Sequence, residues 1–252
     1  MNERYWFPRL GALVAAAAMV VAPSAARAGT FDGRWVFVQR MTTSASVPVV
    51  GDIEATTSVI SLHDLEDADG RLRGEGKLCR ITIDSGTDLV ETILPKAFRN
   101  SLPPPRIDAA LEIEDGAVKL RQDKRVVVVG ARLGDPEREA LPTSSKDSRV
   151  FDQDRDDKPG VTIRIGGLVT GDMYVVQRSW TRLDGGYWKD GTFGGRLAFG
   201  SEQVVLGSTS PFLGDPPKAR PVAHKSWFRL ARLADDASCK DARRVGAAYL
   251  GE

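Results

Sequence analysis

Histidine and cysteine are scarce in this 252-residue chain, which has only His63, His224, Cys79 and Cys239. Two histidines argue against a His-rich zinc site. Two cysteines far apart, with no C-x-x-C spacing, argue against the thiolate frameworks that hold structural zinc. Excess charge of one sign is also missing. The formal net charge is +1 and basic residues are scattered among acids, which leaves no electrostatic case for nucleic acid. There is no G-x-S-x-G elbow, so a serine hydrolase has no local signature. The stretch "GEGK" at residues 74–77 lacks the full phosphate-loop pattern. His63 and His224 read as strand-edge residues, and no residue is assigned a catalytic role.

What is present begins with a leader. Arg4 and Arg9 precede the apolar run "LGALVAAAAMVVA" at residues 10–22, and Pro23, Ala26, Arg27 and Ala28 form an A-x-A cleavage pattern. Thirteen apolar residues are too few to span the roughly 30 Å hydrocarbon core as a helix. Residues 1–28 are expected to be removed as a secretory signal, leaving 29–252 exported to the periplasm or beyond, with no membrane span. Three arginines and one glutamate leave with the leader, so the charge falls from +1 to −1. In an oxidising compartment Cys79 and Cys239 are expected to form one disulfide.

After residue 30 the periodicity is that of strands. "RWVFVQR" sets Trp35, Phe37 and Gln39 against Val36 and Val38. "RLRGEGKLCRITID", "IDAALEIE", "RVVVVGARL", "GDMYVVQRSWTRL" and "KSWFRLARL" continue the pattern between Gly, Pro, Asp and Asn. "DADG" and "EDGA" supply Asp-Gly hairpin turns. Helical signal is confined to a turn or two around Phe98 and a short amphipathic segment at the C-terminus. The expected fold is all-β: one antiparallel barrel of ten to twelve strands, closed so that no edge is left exposed, with a long polar loop over about 133–160.

"GTFDGRWVFVQR" and "HKSWFRLARL" together resemble the lipocalin, or broader calycin, pattern. In that pattern a G-x-W on the first strand lies beneath a late arginine that closes the barrel bottom. The matching positions are Gly33, Trp35 and Arg229 or Arg232. The resemblance implies a lipocalin-like barrel holding a small apolar ligand. Trp35, Phe37, Tyr174, Trp180 and Trp227 are the aromatics expected to line it. A calcium-stabilised envelope protein and a hydrolase or isomerase on the same kind of barrel are alternatives. An outer-membrane barrel is disfavoured, because Arg178, Arg182, Arg229 and Arg232 interrupt the strands.

One stretch invites a metal reading. In "VFDQDRDDKPGVTIRIGG", Asp152, Asp154 and Asp156 match the first, third and fifth positions of an EF-type calcium loop. The sixth position is Asp157 rather than Gly, and the twelfth is Ile163 rather than Glu. Arg155 and Lys158 lower the local charge of this candidate metal segment, residues 152–158, from −4 to −2. The chain is also similar to a group of exported bacterial proteins in which this stretch reads D-x-D-G-D-G-x-P-G-V-T. Here Arg155 and Asp157 stand at the two glycine positions. A calcium loop and a solvated acidic turn both remain open; no other cofactor is expected.

Overall fold

In the computed structural model, which describes residues 30–47, 51–214 and 218–252, the alternating segments form eleven strands. They are β1 (Gly33–Val47), β2 (Gly51–Ala68), β3 (Arg71–Asp84), β4 (Val90–Ile93), β5 (Arg106–Glu114) and β6 (Ala117–Val129). β7 (Val161–Gly167), β8 (Gly171–Tyr187), β9 (Thr192–Ser208), β10 (Arg220–Pro221) and β11 (Trp227–Arg232) follow. Helix α1 (Lys96–Ser101) precedes β5, and α2 (Cys239–Leu250) closes the described chain. The expected leader, residues 1–28, lies outside the described residues.

Eight strands close into an antiparallel ring in the order β1, β2, β3, β5, β6, β8, β9, β11 and back to β1. The local chemistry explains the sharp returns. Between β2 and β3, and between β5 and β6, Asp-Gly pairs sit at positive φ (53° and 70°; 51° and 77°). That double left-handed step matches the twist of the flanking strands. β7 pairs with β8 beyond the end of β6, and β4 pairs with β7.

Four apolar clusters hold the ring. Inside, Trp35, Phe37, Leu72, Leu120, Phe193 and Phe228 are buried in one continuous cluster that fills one end. On one outer face α2 packs Ala242 and Leu250 onto Val36, Val38 and Ile60. α2 starts with a capping box between Ser238 and Asp241, and is tied to β3 by the Cys79–Cys239 disulfide (Cα–Cα 5.2 Å). On another outer face the segment between β6 and β7 lays Ala131 and Leu141 against Val176. Arg149 fixes that segment by pairing with Glu139 and Asp147. Arg178 holds it from β8 through the carbonyls of Pro136 and Glu139. The long polar loop is therefore a cover for the barrel wall rather than a free excursion. α1 inserts Phe98 among Val129, Val161 and Val175.

Candidate functional site

The filled end is sealed by backbone geometry. Gly33 has φ 124°, and a Cβ there would lie 2.9 Å from Arg232 Nη2. Only glycine suits that conformation and that proximity. Two residues on, Trp35 is buried and its Nε1 donates to the Phe31 carbonyl at 3.0 Å. The Arg232 guanidinium lies 5.9 Å from the Trp35 ring centroid and donates to the carbonyls of Thr30 and Asp32. Of the two arginines that sequence offered, Arg232 is the one at the indole. Arg229 is elsewhere: β11 alternates, Phe228 and Leu230 point into the ring, and Arg229 faces out, 3.7 Å from the Trp188 ring.

The five aromatics expected to line a ligand cavity do not converge. Trp35 and Phe37 are consumed by the packed end. Tyr174 faces away from Val175 and carries Lys158 Nζ 5.8 Å over its ring, while Trp180 carries Lys124 at 5.9 Å. Trp227 lines an outer cleft of about 470 Å³ with Trp188, Phe228, Arg229 and Tyr249. The cation of that cleft is already committed: Arg229 stacks on Trp188, donates to Thr192 Oγ1 at 3.1 Å and lies 3.8 Å from Asp190. We read the cleft as a packed aromatic seam against α2.

A different constellation lies inside the ring. Antiparallel partners share a face, so register gives the lining. Trp35 is opposite His63, Phe37 opposite Ser61, Gln39 opposite Val59 and Met41 opposite Thr57; Val59 in turn faces Ile81. Across the ring Leu183 pairs with Leu197 and Thr181 with Phe199. At the packed end these inward positions are buried. Further along, Met41, Val59, Ile81, Thr181 and Phe199 are only half-buried, so solvent enters this half of the ring. The wall is also interrupted there. β5 leaves β3 at the Glu75–Arg106 pair and leaves β6 at the Ala110–Arg121 pair.

At that interruption β6 bulges between Gln122 and Arg125, which brings Arg125 opposite Thr181 and onto the inner face. Gln122 is buried and accepts the Asp108 amide. Arg125 makes no hydrogen bond or ion pair with any described residue. Burial pushes its guanidinium below the ordinary value, with Arg106 adding and Glu75 and Asp108 opposing. It remains a cation at neutral pH. His63 is 1% exposed, its Nε2 is 2.9 Å from Ser61 Oγ, and its Nδ1 is buried with no partner. Burial, and then the Arg125 charge, push His63 down to about 4, so it is neutral at physiological pH. Ser61 and His63 have the separation of a nucleophile and base. Yet no acid among the described residues orients Nδ1, and both residues are sealed from solvent. His224 is exposed on a short turn between β10 and β11.

Sequence named His63 only as a strand-edge residue, whereas it is buried in the wall between β1 and β3; Ser61 and Arg125 were not picked out. The signal for the inner pair was the "SVISLHDL" alternation, which places Ser61 and His63 on the face of Leu65. The bulge that turns Arg125 inward has no such signal.

The acidic stretch folds back on itself just before β7. Asp152 Oδ1 accepts the amides of Arg155 (2.7 Å) and Asp156 (3.2 Å), and Oδ2 accepts that of Asp157 (2.9 Å). Arg155 and Asp157 adopt φ 61° and 63°. Oxygens of Asp152, Asp154 and Asp156 lie within 4.8 Å of one another. Burial raises the Asp154 pKa, opposed by the Thr162 amide and reinforced by Asp156 and Asp152. Lys158, the remaining residue of the candidate metal segment, is exposed, and its Nζ lies over the Tyr174 ring.

No family model matches the chain, and neither a curated protein nor a solved structure matches it. No described helix is long and apolar enough to cross a membrane.

Proposed function

We propose that this chain is an exported carrier of lipocalin-like type, holding a small acidic amphiphile in the open half of its ring. The observation that carries this reading is Arg125: a cation on the inner face, without a hydrogen-bond or ion-pair partner among the described residues, beside a half-buried apolar lining. A lone guanidinium in such a place is costly unless an anion meets it. Met41, Val59, Ile81 and Phe199 offer the apolar wall for a hydrocarbon chain, together with Val127, which lies two residues beyond Arg125 on the same face of β6 and packs toward the Phe98 cluster; each buried methylene contributes about 0.8 kcal/mol. The anionic head would take its charge-assisted hydrogen bonds from Arg125, with Thr181 opposite. Gly33, Trp35 and Arg232 support the lipocalin-like assignment, since together they form the indole-under-guanidinium closure that the resemblance implies. The disulfide supports export.

Calorimetric titration with dodecanoate and with dodecanol, on wild type and Arg125→Met, tests the proposal. Dodecanoate should bind the wild type more tightly than dodecanol by about tenfold to a hundredfold, and the variant should lose that preference. Equal affinity for both probes, no saturable binding of either, or an acid preference that survives the substitution would each overturn it.

A further inference from the structure

The loop that leads into β7 carries a second site, independent of the ligand reading. Asp152, Asp154 and Asp156 bring carboxylate oxygens within 4.8 Å of one another. None of the three forms an ion pair with a described residue, and the two cations within the stretch do not neutralise them. Arg155 is exposed, and Lys158 lies over Tyr174.

Three acids on a surface turn would by themselves be ordinary. Asp154 is not ordinary. The residue is 6% exposed, and while Oδ2 accepts the Thr162 amide at 2.9 Å, Oδ1 is buried with no hydrogen-bond partner among the described residues. A buried carboxylate oxygen left unsatisfied costs on the order of 1–3 kcal/mol, more when charged. Its carboxylate belongs to the cluster with Asp152 and Asp156; those two already accept hydrogen bonds from the loop amides and from Thr162, so the unpartnered oxygen of Asp154 is the one a cation would satisfy.

The surroundings hold the cluster in place. Gln153, between Asp152 and Asp154, donates from Nε2 to the Ser101 carbonyl (2.9 Å) and accepts the Gly130 amide (2.8 Å). The backbone closes around it through Gln153 N to Gly160 O at 3.0 Å and Gly160 N to Phe151 O at 3.2 Å.

We infer that Asp152, Asp154 and Asp156 bind one calcium ion. The donors are all oxygen, which selects a hard cation over zinc or copper. Calcium–oxygen distances of about 2.3–2.6 Å allow two ligands on opposite sides of one ion to stand about 4.6–5.2 Å apart, so one ion can reach three oxygens that all lie within 4.8 Å of one another. Magnesium, at about 2.0–2.1 Å, needs a tighter set. Backbone carbonyls and water would complete the six to eight oxygens. The ion would tie the segment covering β6 and β8 to the start of β7.

The test uses the full exported chain, with calcium chloride, magnesium chloride and a chelator as the three conditions. Calorimetry should find one calcium ion per chain. Thermal melting should rise by roughly 3–6 °C when calcium is about tenfold above its dissociation constant. Asp154→Asn and Asp156→Asn, two independent variants, should abolish both signals, while the exposed-site control Asp88→Asn should keep them. If one acidic-loop variant fails to fold, the other and the direct titration still decide. No heat and no melting shift in wild type, an equal response to magnesium, or a calcium response retained by both loop variants would overturn the inference.

Discussion

Acidifying the protein from pH 7 to pH 5 should weaken it through one side chain. His63 is sealed among Phe37, Ser61 and Gly76, and its folded pKa is held near 4 against an ordinary value of 6.5. Between those values the unfolded chain takes up a proton that the folded chain refuses, so stability falls as pH is lowered through this window. The decline begins as pH drops below 6.5 and is complete below about 4, where both states are protonated. The gap amounts to about 3 kcal/mol in full, of which about 2 kcal/mol has been lost by pH 5. Depressed carboxylates such as Asp64 and Asp147 act in the same direction, but in a lower window, as pH falls below the ordinary carboxylate range. Comparing pH 7 with pH 5 therefore isolates the histidine. Urea unfolding at the two pH values, on wild type and on His63→Gln, is the assay. The substitution keeps a polar partner for Ser61 and removes the titration. Wild type should lose about 2 kcal/mol and the variant only a small fraction of that. An equal loss in both proteins would refute the reasoning, since the proton uptake would then lie elsewhere.

Gly33→Ala should destabilise the fold by about 1–3 kcal/mol in denaturant unfolding, because φ 124° is strained for alanine and the methyl meets Arg232. An unchanged midpoint would mean that the closed end tolerates a different path. Replacing Cys79 and Cys239 together with serine should cost about 2–4 kcal/mol, the loop between them being 160 residues. Protection of α2 amides from hydrogen exchange should fall with it. If α2 stays as protected as before, packing on Ile60 alone holds that helix.

The strand architecture was legible because it depends on short-range chemistry. Asp69-Gly70 and Asp115-Gly116 could only be tight turns, and the alternation around Trp35 required one buried face. The pairing of Cys79 with Cys239 was legible because the chain has two cysteines and its N-terminal residues read as an export signal. Facing direction was a different matter. Tyr174, Trp180 and Trp227 looked as suited to the interior as Trp35, yet strand parity turns them outward, and parity is set by partners far away in sequence. Bulges make it harder. The one extra residue between Gln122 and Arg125 resets the face of β6, so the arginine on which the ligand proposal rests occupied an unremarkable place in "RQDKRVVVV". The late arginine that closes the barrel shows the same limit, since Arg229 and Arg232 differ only in which face of β11 they leave. In the acidic stretch the residue spacing was readable. The isolation of Asp154 Oδ1 was not, because it depends on how Thr162 and the covering loop pack around it.

Nuclear Overhauser contacts between isotope-labelled dodecanoate and methyl-labelled protein test the central claim most directly. The account predicts contacts from the hydrocarbon chain to Met41, Val59, Ile81 and Val127 inside the ring, vanishing in Arg125→Met. Contacts to Trp188, Trp227 and Tyr249 in the outer cleft instead, with the inner methyls silent, would contradict it.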